Sequence, residues 1–251
     1  MVESEIAKRD IRISKALSYL LRHGAVKEGL SIDSDGYVDL SALLKHNRLK
    51  TYKCTRDDIH RVVETNEKKR FNIKKLENVE YICAVQGHSM KIINPDGKLL
   101  ERITTLAQLP DTLVHGTTIS SCIAILESGA IKKCGRNHVH LATGITGVNS
   151  SVISGMRLSS PVHIYLNLDK SLIDGIGLVK SLNNVYLTED DIGLTFFKKV
   201  VIKLPIENRR KKAVAVNLAI LLALLQDKNI PYEMLDGNSD KASHDLTMNA
   251  P

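Results

Sequence analysis

The sequence contains no run of 18 apolar residues, so no segment reads as a membrane-crossing helix. Its opening residues, Met1-Val2-Glu3-Ser4-Glu5, are acidic and polar and lack the apolar stretch of a secretory signal. Cysteine is scarce: Cys54, Cys83, Cys122 and Cys134 are separated by 29, 39 and 12 residues. That spacing fits neither a paired metal-ligand knuckle nor a dense disulfide framework. Reduced, mostly half-buried thiols in an intracellular protein of the cytoplasm or nucleus are therefore expected. The chain also lacks an internal repeat and the Gly-x-Gly-x-x-Gly fingerprint of a doubly wound dinucleotide fold.

What remains is an ordinary globular composition. With 251 residues, 43% hydrophobic and 25% charged, the chain can bury a core without disulfides or metal, as one large domain or two small ones. The net charge of +7 is concentrated: residues 45–75 hold eleven Lys/Arg against four Asp/Glu, and the rest sums to zero. So local an excess points to a polyanionic partner.

The apolar positions Ile13, Ala16, Leu17, Leu20 and Leu21 follow helical spacing, and Gly24 stands where a left-handed cap would end the helix, with Arg22 and His23 on its last turn. Asp35-Gly36 is a turn and Leu40 to Leu44 a short helix. Thr55 with Asp57-Asp58 caps a helix carrying Ile59, Val62 and Val63. Residues 70–73 and 81–85 flank Glu77-Asn78 as a hairpin. Three helices followed by a hairpin outline a winged helix over 1–93. Residues 94–110 read as a connector. Residues 111–235 are β-rich, with strands expected near 113–115, 138–141, 162–166, 184–187 and 200–203, and helices at 119–128 and 213–225. A basic run covers 209–212, and a polar tail at 236–251 reads as disordered. The fold class is α+β.

Within 136–141, strand alternation would put Arg136, His138 and His140 on one face. A cation and two imidazoles are costly to bury unpaired, so this face is either a solvated edge or a site for an anionic ligand. Arg22-His23 could simply complement the dipole of a helix C-terminus. Arg70 belongs to the charge run Lys68-Lys69-Arg70, and Gln86-Gly87-His88-Ser89 could be a polar turn leaving a strand.

Six strings nevertheless stand in a telling order: 14–23 (Ser-Lys-Ala-Leu-Ser-Tyr-Leu-Leu-Arg-His), Gln86-Gly87-His88-Ser89, His115-Gly116-Thr117, 136–141 (Arg-Asn-His-Val-His-Leu), Ser154-Gly155-Met156-Arg157 and 183–188 (Asn-Asn-Val-Tyr-Leu-Thr). In them the chain resembles the tRNA 2'-phosphotransferases, fungal members especially, from about Ile11 to Lys203. It departs at Gly24-Ala25-Val26, which lacks the proline many members carry there. The resemblance implies an N-terminal winged-helix RNA lobe and a C-terminal ADP-ribosyltransferase-like, NAD-binding lobe. It implies Arg22, His23, Arg70 and Arg136 as catalytic residues, and a cofactor pocket of His115, Gly116, Thr117, His138, His140 and Arg157. The basic window adds Lys53, Lys68 and Lys69 as RNA contacts.

The activity so implied transfers an internal 2'-phosphate of ligated tRNA to NAD, through RNA carrying ADP-ribose on that phosphate. It yields 2'-OH RNA, ADP-ribose 1'',2''-cyclic phosphate and nicotinamide. NAD is consumed as co-substrate, with no metal; the partners are NAD and 2'-phosphorylated RNA, with no membrane, and the chain is a monomer. The rival readings are an ADP-ribosyltransferase acting on phosphorylated nucleic-acid ends or protein, and a non-catalytic winged-helix binder.

Overall fold

The computed structural model describes residues 2–95, 98–149, 152–204 and 211–235. The expected tail at 236–251 and residues 209–210 of the basic run lie outside them. Contacts divide the chain into two compact units, one of residues 1–102, 133–138 and 179–184, the other of 103–132, 139–178 and 185–251. No helix among the described residues is long and apolar enough to cross a membrane.

The first unit opens with α1 (Val2–Tyr19), which passes directly into a π-turn at Leu20–Gly24. Then come β1 (Val38–Asp39), α2 (Leu40–Leu44), α3 (Asn47–Lys50), α4 (Arg56–Glu64), β2 (Phe71–Leu76), β3 (Val79–Ala84) and β4 (Leu100–Arg102). Thr55 and Asp58 close a reciprocal capping box on α4, as the sequence predicts. Strands β2 and β3 pair antiparallel from Phe71↔Ala84 to Leu76↔Val79, and β1 joins the free edge of β3. Their turn places Glu77 and Asn78 at φ 45° and 71°, the twist that two-residue hairpins favour. Ile13, Leu17, Leu20 and Leu21 pack with Leu40, Leu43, Leu49, Ile59 and Ile82 in one core.

Gly24 does not cap the helix. Ala25 follows at φ −50°, and helical turning continues to Gly29, whose φ of 74° ends it. Gly24 is needed for a different reason: a Cβ there would lie 2.6 Å from the Tyr19 ring.

The second unit contains β5 (Val114–Thr117), α5 (Ile119–Ser128), β6 (Ala130–Ile131), β7 (Val139–Leu141), β8 (Val162–Leu166), α6 (Lys170–Gly175), the first residue of β9 (Leu178–Ser181), β10 (Tyr186–Thr188), β11 (Ile192–Gly193), β12 (Phe197–Lys203), α7 (Lys211–Asp227) and β13 (Tyr232–Leu235). Of β9, residues 179–181 count with the first unit, where they pair with β4. One sheet runs β13-β12-β8-β5, antiparallel except for the β12–β13 pair, which α7 makes parallel by crossing over. The apolar segment expected at 213–225 is the middle of α7, whose Leu221 and Leu225 are fully buried in the core it shares with Leu126 of α5. Strand β7 starts only at Val139, so residues 136–138, expected to be strand, lie in a bend.

Candidate active site

The string Leu20-Leu21-Arg22-His23-Gly24 is the π-turn itself, closed by Ala25 N donating to Leu20 O over 2.8 Å. Leu20 and Leu21 are fully buried, so the widened turn is anchored on its apolar side while Arg22 and His23 leave on another. The turn is braced from behind. Tyr19 donates its hydroxyl to Glu28 at 3.1 Å, and the Arg48 guanidinium, itself paired with Glu28 at 3.0 Å, stacks 4.2 Å over the Tyr19 ring.

In the first unit two guanidinium groups, Arg70 and Arg136, act on a third, Arg22. Arg22 has Nε and Nη2 buried with no hydrogen-bond acceptor. Burial, then the charges of Arg70 and Arg136, pull its pKa down to about 10. Burial lowers that of Arg70 as well. His23 is lowered by burial and by Arg22 and Arg136, and its Nδ1 lies 2.8 Å from the Ser89 hydroxyl. A desolvated cation facing two further cations is unfavourable unless an anion joins it. Bidentate donors on a fixed fork suit a phosphate.

The sequence points to these four side chains but not to the groups that place them. Ser89 N donates to Arg22 O at 3.0 Å, which joins the π-turn to the loop after β3. Asn137 N donates to His88 O at 2.9 Å, and its side-chain amide donates to Met90 O and Ile93 O at 3.0 and 3.1 Å. This clip holds Asn137, and with it the backbone next to Arg136, in the bend at 136–138. Arg70 N donates to Asn66 Oδ1, while buried Asn183 donates to Lys68 O at 3.0 Å and accepts from Ser181 Oγ at 2.8 Å. His88 is 3% exposed and its Nε2 has no partner. Burial, Arg22, His138 and His23 drive its pKa down to about 4, so it is neutral near pH 7. The glycine in Gln86-Gly87-His88-Ser89 is the signal for this loop: Gly87 has φ 87°, and a Cβ there would touch the Arg22 guanidinium at 3.5 Å.

His138, expected beside the cofactor residues, belongs to the first unit and acts electrostatically on His88. Lys68 shares a hollow with Arg22 and Arg70, whereas Lys53 lines a different one with Lys8 and Arg12. Lys69 is exposed. The basic window is also less free than its composition suggests: Arg48, Arg56, Arg61 and Lys74 are paired with Glu28, Glu80, Asp10 and Asp33.

In the second unit, His115, Gly116 and Thr117 lie on β5 and His140 on β7. The His115 Nδ1 is 3.1 Å from His140 O, which orients the ring. Gly116 has a packing reason of its own, because a Cβ would fall 2.7 Å from Met156 Cβ and 3.2 Å from Ser160 Oγ. Arg157 is exposed, between these two residues in sequence. Among the described residues, no three His, Cys, Asp or Glu side chains gather as metal ligands.

Residues 8–190 match the sequence model of the family described as RNA 2'-phosphotransferase, Tpt1 / KptA family. The chain is 50% identical to the tRNA 2'-phosphotransferase of Saccharomyces cerevisiae over 230 residues, covering 91% of this chain and 96% of the yeast protein. It is 40% identical to the human tRNA 2'-phosphotransferase 1 over 182 residues, 72% of this chain and 69% of the human one. A probable RNA 2'-phosphotransferase from Acaryochloris marina is 32% identical over 188 residues, 75% of this chain and 96% of its own length.

Proposed function

The chain belongs to the RNA 2'-phosphotransferase family, and on that footing we propose that its guanidinium cluster receives the 2'-phosphate that the enzyme removes. The protein is a tRNA 2'-phosphotransferase, taking the internal 2'-phosphate from spliced tRNA with NAD as acceptor. The observation that carries the assignment of the site is Arg22, buried without an acceptor while Arg70 and Arg136 add to its charge. Such an arrangement is completed by a multiply charged anion.

A phosphate monoester repels an incoming oxygen nucleophile and is itself the better nucleophile. NAD supplies an electrophilic ribose carbon bearing nicotinamide as leaving group. The chain's own residues do the rest. Arg22, Arg70 and Arg136 hold the phosphate oxygens and stay in place as charge gathers on them during transfer at phosphorus, with no reorganisation at that moment. His23, its Nδ1 engaged by Ser89, has Nε2 left to move a proton at the attacking or departing oxygen. Its lowered pKa keeps it neutral until an anion arrives, and the anion's charge then raises its affinity for a proton.

NAD is assigned to the second unit. Support comes from His115, whose ring orientation is set by His140 O, and from the buried polar side chains Thr117 and His140 on neighbouring strands. Arg157, exposed next to Met156 in sequence, is the cation among the residues assigned to this pocket. The first unit serves as the RNA-binding winged-helix lobe in this reading, and Lys68 and Lys69 contact the RNA backbone.

The test is product analysis. Incubated with NAD, a 2'-phosphorylated oligonucleotide and EDTA, the protein is expected to release ADP-ribose 1'',2''-cyclic phosphate and nicotinamide in equal amounts. Inorganic phosphate as product would overturn the mechanism. RNA that retains ADP-ribose as the final product would favour the rival transferase.

A further inference from the structure

A hollow of about 800 Å³ lies in the first unit between α1 and the segment 62–70, and it contains Arg22 and Arg70. Its long wall is one stripe of α1: Ala7, Ile11, Ser14, Lys15 and Ser18 recur at helical spacing and run into Arg22. The facing wall carries Val62, Thr65, Asn66, Glu67 and Lys68, so that Lys15, Lys68, Arg22 and Arg70 outnumber the carboxylates Asp10 and Glu67 of the lining. Three properties set this stripe apart from an ordinary solvated helix face. Ile11 is 56% exposed, leaving an apolar surface open within the hollow. Ser14 and Ser18 offer hydroxyls that match sugar hydroxyls and base edges, with Asn66 held beside Ser14 by its bond from Arg70 N. Lys15 is exposed along it, while Asp10, which also lines the hollow, is bound by Arg61 at 2.8 and 2.9 Å.

Resting on the function proposed above, we infer that this hollow is the groove for the RNA strand flanking the 2'-phosphate, with Lys15 on a neighbouring backbone phosphate and Ile11 against a base or ribose. The dimensions agree. Eleven residues separate Ile11 from Arg22, which is about 16 Å along a helix, enough for about four nucleotides at ~3.4 Å per stacked step. The groove predicts a preference for 2'-phosphates embedded in a chain, since a lone nucleotide would fill only the arginine end. Contacts of this kind act on the sugar, base face and backbone and tolerate many sequences.

The test uses the full chain, NAD and two synthetic RNAs, a 2'-phosphorylated dinucleotide and a hexanucleotide with the same phosphate inside. Wild-type protein is expected to have a lower KM for the hexanucleotide. Ile11→Ser and Lys15→Ala should erase most of that difference while leaving turnover of the dinucleotide unchanged, and Lys15→Ala should reduce the salt slope of hexanucleotide binding by ~0.7. Lys53→Ala, in the other hollow, should preserve the preference. A wild-type enzyme without length preference, or a preference that survives in both variants, would overturn the groove and leave the proposed function standing. Failure of wild-type protein to turn over either RNA would remove both.

Discussion

The two units hold their polar residues in opposite ways. In the first, Arg22, His23, Arg70 and Arg136 come from a π-turn, a strand entry and a bend, and they converge although their charges repel. In the second, His115, Gly116, Thr117 and His140 sit on strands with the backbone paired, a ring nitrogen near a carbonyl and a methionine packed over the glycine. The first arrangement leaves a charge repulsion that the proposed phosphate would answer, while the second is already held in place by its own sheet and packing before any ligand arrives. A functional reading is thus carried further by an unmet electrostatic demand than by the presence of polar residues.

The largest expected effect tests that contrast directly. Arg22→Met should lower 2'-phosphate transfer by about 10²–10³-fold, the loss typical of removing one preorganised donor to a developing oxyanion. The same change should leave folding intact or stabilise it by roughly 1–3 kcal/mol, because a buried cation without a partner is replaced by an apolar chain. Activity assays paired with denaturant melts check both halves. A large loss of stability would show that Arg22 is a structural residue and would break the comparison.

Glycines sharpen the comparison from the other side. Gly116→Ala should destabilise the protein by about 1–3 kcal/mol through overpacking against Met156, whereas Gly135→Ala, beside Arg136 with nothing within 4 Å of an added Cβ, should stay within about 0.5 kcal/mol. Thermal melts of the two variants decide it. Equal costs would mean that the second unit is no more tightly determined at this point than the bend of the first.

A smaller effect is expected at Ser89. Its hydroxyl is the neighbour of His23 Nδ1 at 2.8 Å, so Ser89→Ala should reduce turnover by about 3–10-fold, as for a lost neutral hydrogen bond of ~1 kcal/mol. The pH profile should move with it, and Ser89→Thr should restore part of the activity. An unchanged profile would separate Ser89 from the proton chemistry.

Much of this architecture is legible in the residues. The Thr55/Asp58 box, the 71–84 hairpin and the Ile119–Ser128 helix follow from capping and alternation, and all three are present. The misread places share a cause. Gly24 looks like a cap because helix-ending glycines usually take positive φ, yet here contact with Tyr19 demands the missing side chain. The apparent alternation of Arg136, His138 and His140 stops being a strand face because Asn137 spends its backbone N–H and side-chain amide on a loop more than 40 residues away in sequence. Nothing local in the sequence reports such long-range polar clips, nor the π-turn that redirects Arg22 and His23. Family motifs identify the residues, and only the folded chain reveals what each is tied to.

The smallest effect near neutral pH concerns acid stability and rests on a single ring of the first unit. His88 packs beside Arg22, His138 and His23, and its pKa is about 4 in the folded protein against an ordinary value near 6.5. The unfolded chain therefore binds a proton that the folded chain refuses between those pH values, and stability is full above ~6.5 and falls as the solution is acidified towards 4. Near pH 6 the loss is under ~1 kcal/mol. His88→Asn should flatten this part of the profile, measured as denaturant midpoints from pH 7.5 to 5. The carboxylates respond elsewhere: Asp58, held far below its usual range first by its hydrogen bond with Arg9, contributes stability that disappears only below pH ~4. Saturating phosphate should shrink the slope if the cluster is the anion site, because a bound anion offsets the neighbouring charges that add to burial in keeping His88 neutral. A slope untouched by both His88→Asn and phosphate would mean that the acid sensitivity arises outside the arginine cluster.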